Sequence, residues 1–409
     1  MLYYFPMPAK GFTLPSATSG SRNLLLLIVA ASTLLKLYLA LNTGIYVDQK
    51  TELFRPLNDE YSHYKFVSFL IREHRLPVNE HVREIRDPEA WIFQDFEYAQ
   101  PPLYYAASVP FALFPDPVFW CRLFSILLGT LTLVLVIDSA YVLLKPGDSA
   151  AILAAILLGF HPVFLRIGSS ISNDNLAWFL SALQFRLLLS DRNLARILPF
   201  AFLTAAGILT KMSYLIWPLF FLLWIAWSLF HRQGRRALNA GLIVFLSLAA
   251  TSWLFLRNHR LYDDYTGVVG GSGPKGAFLL SGRFETLTDF ARESVRYLFF
   301  PVAEDPAALL PLCGAIVLFF ALFLALRYRQ VKTLFADPQQ FNLCALFTFL
   351  NLLLYLQGNL YWPLTESRHL FIGALPLFVL GCAVLLDAFP TVAPGVAGAI
   401  QVIPLLYLW

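Results

Sequence analysis

Apolar runs of about 17 to 25 residues recur from Leu24 almost to Trp409, and each is long enough to cross a hydrocarbon core about 30 Å thick. Water does not reach the backbone in such a core, so every run has to be a helix that pairs its own amides and carbonyls. Only 14% of the 409 residues are charged, against roughly 25% in a soluble domain, which excludes a water-dissolved globule. The expected fold is an all-α polytopic membrane protein, a bundle of about eleven transmembrane helices. The spans lie near 23–42, 118–144, 150–168, 175–190, 196–212, 213–230, 238–256, 307–326, 341–357, 369–387 and 391–409. One membrane domain then covers 1–409, with large loops at 43–117 and 257–306. Cys121, Cys313, Cys344 and Cys382 fall inside predicted spans and form no CxxC pattern, so they read as small apolar side chains. Lys10 and Arg22 precede the run Leu24 to Leu41, and no small-residue cleavage site follows it, which reads as a retained first span.

The formal net charge of +4 says little about nucleic acid, and no nucleic-acid partner is expected, because the charges are spread over loops. Their distribution sets orientation instead. Lys145, then Arg192 and Arg196, then Arg232, Arg235 and Arg236, then Arg327, Arg329 and Lys332 occupy short loops, all cytoplasmic under the positive-inside rule. The apolar segment Pro102 to Pro115, at about 14 residues, is short for a span. Counting it as a crossing would put every one of those basic loops outside if the N-terminal tail is inside. It is therefore expected to be an interfacial or re-entrant helix, and 43–117, 169–174, 257–306, 358–368 and the turn at Lys211 then share the outer face.

The polar residues on that face carry the candidate chemistry. Asn58-Asp59-Glu60-Tyr61-Ser62-His63-Tyr64 opens a stretch with Phe66, Val67, Phe69, Leu70 and Ile71, the pattern of an amphipathic helix lying along a membrane surface. Asp59 and Glu60 read either as a helix cap and a partner for the helix dipole, or as a general base for a hydroxyl acceptor. Glu97, Gln100, Tyr104 and Tyr105 crowd around Pro101-Pro102, where the prolines fix the start of a helix and an interfacial belt accounts for the tyrosines. Ser169 to Asn175 is a turn with a cap, or else Asn173 and Asp174 hold a substrate hydroxyl or a cation. Lys211, Arg257 and Arg368 stand at the outer ends of spans. Snorkelling explains any one of them, whereas the set points to an anionic ligand such as a phosphate. Asp59, Glu60 and Asp174 offer oxygen donors to a divalent cation, though no spacing requires one. There is no P-loop, no GxGxxG after a strand, no HExxH and no Cys/His zinc cluster.

As an ordered set, these pieces resemble the GT-C superfamily of membrane glycosyltransferases, in particular the protein O-mannosyltransferase and aminoarabinose-transferase branch with its bacterial relatives. Pro56 to Pro77, with Asp59-Glu60 and His63-Tyr64, looks like the branch's Asp-Glu segment. Gln100-Pro101-Pro102-Leu103-Tyr104-Tyr105 is similar to its His-or-Lys-Pro-Pro stretch, and Arg368 to Pro376 to the Gly-Arg-Tyr-Leu…Pro element of some members. The resemblance implies a GT-C-like bundle with juxtamembrane helices in the first outer loop. It implies inverting sugar transfer from a polyprenyl-phosphate-linked donor to a lipid, glycan or protein hydroxyl on the non-cytoplasmic face. Asp59 would be the base, with Glu60 beside it. His63, Glu97, Gln100, Tyr104, Asn173, Asp174, Lys211, Arg257 and Arg368 would line the substrate site among membrane lipids, in a bacterial inner membrane with the site facing the periplasm or exterior. Gln100 departs from the pattern, since a neutral amide cannot bind phosphate by charge. The chain also reaches Trp409 within an apolar run, so acceptor recognition is expected to rest on the two outer loops or a partner. Rival functions are a transporter or flippase of a lipid-linked sugar, for which no internal repeat is found, and a non-catalytic envelope scaffold that would tolerate loss of Asp59.

Overall fold

The computed structural model describes residues 19–44, 60–78, 100–263, 265, 310–361 and 367–405. Among them the regular elements are helices: α1 (Ser19–Asn42), α2 (Glu60–Glu73), α3 (Leu103–Ala112), α4 (Pro117–Leu143), α5 (Gly147–Gly159), α6 (Pro162–Gly168), α7 (Asn173–Ser190), α8 (Ile197–Ile208), α9 (Ile216–Phe230), α10 (Gly234–Tyr262), α11 (Leu310–Thr333), α12 (Pro338–Tyr361), α13 (Ala374–Ala388) and α14 (Ala393–Leu405). Two 3-10 turns, Met212–Leu215 and Ser367–Gly373, lead into α9 and α13.

Seven described helices are long and apolar enough to cross a membrane, or eight if one bent pair counts as a span. The expected number was about eleven. The difference has identifiable causes. The predicted span 150–168 is not one helix, because α5 and α6 meet at 64°. Pro162 lacks an N–H and its ring would clash with the preceding turn, so the helix ends and restarts with Pro162 as its first residue. Asp174, Gln184 and Arg186 make α7 too polar to count, while α8 has 12 residues and α14 has 13.

Polar contacts gather at the two ends of the bundle. At one end the strand-like pair Leu144 and Phe335 is bracketed by Lys145 N–H donating to Leu334 O and Ala336 N–H to Leu143 O. Three ion pairs staple the same end: Arg186–Asp138 and Arg192–Asp337, both 2.6 Å, and Arg327–Asp387, 2.9 Å. This brings together three of the four segments that charge counting assigned to the cytoplasm, those of Lys145, Arg192 and Arg327. At the other end of α4 lie the start of α2, the start of α3, the turn before α7 and the turn after α8.

The short helix α3 stays at that second end. It folds back antiparallel to the first turns of α4, with Tyr104 bonded to Ser125, Ser108 beside Cys121, Phe111 stacked on Phe124 and Phe114 against Trp120. The hairpin is set by Asp116, whose carboxylate caps α4 by accepting from Phe119 N–H, with Pro117 at the first helical position. A ten-residue helix rises only about 15 Å, half a bilayer. A Leu113→Cys variant, placed at the exposed tip of this hairpin, is expected to resist a membrane-impermeant thiol reagent applied from the cytoplasm. Efficient cytoplasmic labelling would contradict that placement.

Candidate functional site

The site is organised by one guanidinium. Arg122, in the second turn of α4, donates through Nε and Nη2 to the two carboxylate oxygens of Glu60, each at 2.8 Å. Its Nη1 donates to Ala40 O and Thr43 O at 2.7 Å. Those carbonyls belong to the last turn of α1, where unsatisfied oxygens and the helix dipole favour a cation. Glu60 Oε1 also accepts from Ile171 N–H at 2.9 Å. Arg122 and Glu60 are both buried, so this ion pair joins α1, α2, α4 and the turn before α7 in one fixed arrangement. A buried bidentate pair with four of the five guanidinium N–H groups and both carboxylate oxygens engaged is the geometry in which the attraction offsets desolvation.

From Glu60 the network runs through the other predicted residues. α2 buries Glu60, His63, Phe66 and Val67 on one face. His63 Nδ1 lies 2.7 Å from Tyr105 Oη, and the Tyr105 ring stacks on Phe66 at 3.9 Å. Tyr104 Oη bonds Ser125 Oγ at 2.8 Å and accepts from Ser172 N–H at 3.1 Å. Burial pushes the Tyr104 hydroxyl well above its ordinary value, so it stays neutral and serves the turn as a hydrogen-bonding post. Ser172 is the actual cap of α7, its hydroxyl accepting from Asp174 N–H. Asn175 Nδ2 donates to the carbonyls of Ile167, Ser170 and Ser172, which holds the turn from inside.

Asn173 and Asp174 then meet two further segments. Asn173 Nδ2 donates to Gln100 Oε1 at 3.0 Å and to Thr210 O at 3.3 Å. Asp174 Oδ1 accepts from Lys211 Nζ at 2.6 Å, with both side chains largely buried. Lys211 sits where α8 gives way to the 3-10 turn, and Leu103 N–H donates to Leu209 O beside it. That bend is possible because residue 207 is glycine: a Cβ there would overlap the Tyr214 ring. Gly207→Ala is expected to cost about 1–3 kcal/mol by overpacking and to displace Lys211. Thermal denaturation of the purified variant measures it, and an unchanged midpoint would show that the bend accommodates the methyl group.

The remaining predicted residues fall elsewhere. Arg257, near the end of α10, donates to Pro77 O at 2.6 Å and so ties α10 to the segment after α2. Asp59, Glu97 and the side chain of Arg368 lie outside the described residues. The backbone of Arg368 belongs to the turn Ser367–Gly373, which packs on α6, α7 and the turn Met212–Leu215 following Lys211. Among the described residues no three His, Cys, Asp or Glu side chains are grouped to hold a metal.

The model of glycosyltransferase family 87 matches residues 98–356, well over half of the chain and most of this network. The chain belongs to glycosyltransferase family 87. It is an integral membrane protein of that family. The crystal structure of ArnT from Cupriavidus metallidurans bound to undecaprenyl phosphate superimposes with a TM-score of 0.54 at 16% identity, covering 95% of this chain and 63% of that one. ArnT from the same organism in the apo state gives a TM-score of 0.42 at 15% identity, covering 94% of this chain and 78% of that one. The family 87 chain thus spans just under two thirds of the ligand-bound ArnT chain, and at this identity the likeness concerns the fold. No curated protein matches it.

Two buried charged residues of this family 87 protein were not singled out from the sequence: Arg122, at the centre of the network, and Lys36, in the neighbouring helix α1. Arg122 and Lys36 both lie within predicted spans, where the surrounding leucines and valines dominate any hydropathy window. The available signal was their isolation, because an ionisable side chain at membrane depth is expensive and marks a functional or structural partner by default.

Proposed function

We propose that this glycosyltransferase moves a sugar from a polyprenyl-phosphate-linked donor to an acceptor hydroxyl on the non-cytoplasmic face, with inversion. Asp59 takes the proton from the acceptor oxygen as that oxygen forms its bond to the anomeric carbon, and the bond from that carbon to the phosphate oxygen breaks. The observation that supports this division of roles is the state of Glu60. Its two oxygens already accept three hydrogen bonds from Arg122 and Ile171, so it acts as the anchor that holds the start of α2. Asp59, the preceding residue, is left as the base.

The leaving phosphate gains charge in the transition state and needs cations nearby. Lys211 and Arg368 are assigned to it, Lys211 through its bond to Asp174 and Arg368 through the turn beside Met212–Leu215. Arg257 positions the outer segment after α2, and His63, Glu97, Gln100, Tyr104 and Asn173 shape the donor and acceptor site. The depth of the cluster suits a lipid-borne phosphate. The 12 residues of α8 rise about 18 Å, against a core about 30 Å thick, which sinks Lys211 and Asp174 below the outer boundary. The undecaprenyl phosphate bound to ArnT supports the same lipid class for the donor. The membrane is taken to be a bacterial inner membrane, with a lipid, glycan or protein acceptor presented from outside. The test is sugar transfer by purified protein from labelled polyprenyl-phosphate sugars to acceptors in a membrane extract. Failure to release polyprenyl phosphate with any sugar would rule the mechanism out.

A further inference from the structure

The two cations assigned to the leaving phosphate stand on separate segments that a single hydroxyl joins. Lys211 caps the continuous helical run Met212–Phe230, and its carbonyl accepts from Tyr214 N–H at 3.0 Å. Trp217 lies in the second turn of that run. Arg368 belongs by its backbone to the seven-residue turn Ser367–Gly373, with Ile372 four positions later. Between these two rigid segments stands Ser181 of α7. Its hydroxyl accepts from Trp217 Nε1–H at 3.1 Å and donates to Ile372 O at 2.6 Å, and all three residues are buried.

Ser181 is one of three residues on α7 that face these segments. Asp174, Trp178 and Ser181 follow the i, i+4, i+7 spacing of one helix face. Asp174 pairs with Lys211, and Trp178 lies against Phe371 with ring centroids 4.9 Å apart. One face of α7 therefore holds the Lys211 segment beside the Arg368 turn, and the turns Met212–Leu215 and Ser367–Gly373 also meet directly.

The direction of the Ser181 bond is informative. A hydroxyl inside a helix commonly turns back to its own backbone, and Thr132, Ser139, Thr204 and Thr251 each donate to the carbonyl four residues earlier. Ser181 instead donates to a residue 191 positions away. With alanine there, an indole N–H and a carbonyl would be left unpaired in an apolar medium. Those groups are themselves a donor and an acceptor, so the simplest relief is for them to move together. That movement changes the separation of Lys211 from Arg368.

We propose that Ser181 is a positioning residue that sets the separation of Lys211 and Arg368, so that both cations meet one lipid-borne phosphate. It touches neither the phosphate nor the sugar. This rests on the assignment of those cations to the phosphate of a polyprenyl-linked donor, as proposed above.

The experiment measures binding of undecaprenyl phosphate and of undecaprenol to the full-length protein in lipid nanodiscs, with thermal stability alongside. The proteins are wild type, Ser181→Ala, Ser181→Thr, Arg368→Gln and the double variant Ser181→Ala, Arg368→Gln. Wild type is expected to favour the phosphate, and Arg368→Gln to bind it about tenfold more weakly, the loss typical of one charge-assisted hydrogen bond. Ser181→Ala is expected to show a similar loss toward the phosphate and none toward the alcohol, and Ser181→Thr to bind as wild type does. In the double variant the alanine should add nothing, because the side chain it positions is already gone. Ser181→Cys, a weaker donor and acceptor, serves in place of the alanine form should that fold poorly. Wild-type phosphate binding in both Ser181→Ala and Ser181→Cys overturns the proposal and leaves the transfer mechanism standing. Equal weakening toward phosphate and alcohol also overturns it, as does an additive loss in the double variant, because each is the mark of a packing role. A wild type that does not distinguish the two lipids, or an Arg368→Gln form that binds the phosphate undiminished, removes the phosphate assignment itself and the proposal with it.

Discussion

Asp59→Asn is expected to lower sugar transfer by about 10²–10⁴-fold, the contribution typical of a positioned general base, while leaving folding intact. The amide keeps the size of the carboxylate and cannot accept the acceptor's proton. The loss should appear in the turnover number rather than in donor affinity, because proton removal belongs to the transition state. Substrate binding is not expected to suffer, since Arg122 and Ile171 hold Glu60, and with it the start of α2, without help from residue 59. A well-folded Asn variant that transfers sugar at the wild-type rate would remove Asp59 from the mechanism.

Arg122→Met is expected to destabilise the protein by about 3–5 kcal/mol, the loss typical of leaving one partner of a buried ion pair uncompensated. The variant strands the Glu60 carboxylate, which keeps only the Ile171 N–H, and frees the carbonyls of Ala40 and Thr43 at the end of α1. The double variant Arg122→Met, Glu60→Met should recover much of that stability, because a packed apolar pair replaces buried ions at little net loss. Activity should not return with it. The apolar pair no longer fixes the first turn of α2 to α1 and α4, so Asp59 is no longer presented at one place. Recovery of both stability and transfer in the double variant would mean that the pair serves packing alone.

The bundle was legible in the sequence because hydropathy windows read what lipid demands of a backbone. What those windows could not read was interruption. Pro162 splits one apolar run into α5 and α6 at 64°, and α8 ends after 12 residues so that Lys211 reaches Asp174. Counting charges in loops put Glu60, His63, Gln100, Tyr104, Asn173, Asp174 and Lys211 on one face, and these side chains lie along one network of contacts. Their partners stayed hidden for a physical reason. Sequence spacing shows which residues share a helix face, whereas the pairing of Glu60 with Arg122 joins residues 62 positions apart. Arg257 shows the opposite limit. It sits at the expected end of its helix and turns to Pro77 O, because a long α10 carries it toward the first loop.

The proposed mechanism makes a lipid phosphate the leaving group of this family 87 protein. The most direct measurement is made on proteoliposomes containing the wild-type protein, a polyprenyl-phosphate sugar labelled in the sugar and an acceptor-bearing membrane extract. Free polyprenyl phosphate is expected to form in step with labelled product, only when acceptor is present on the outer side, and the new linkage should have the opposite anomeric configuration to the donor. Label that stays on the polyprenyl phosphate and merely changes leaflet would contradict the account and identify a lipid transporter instead.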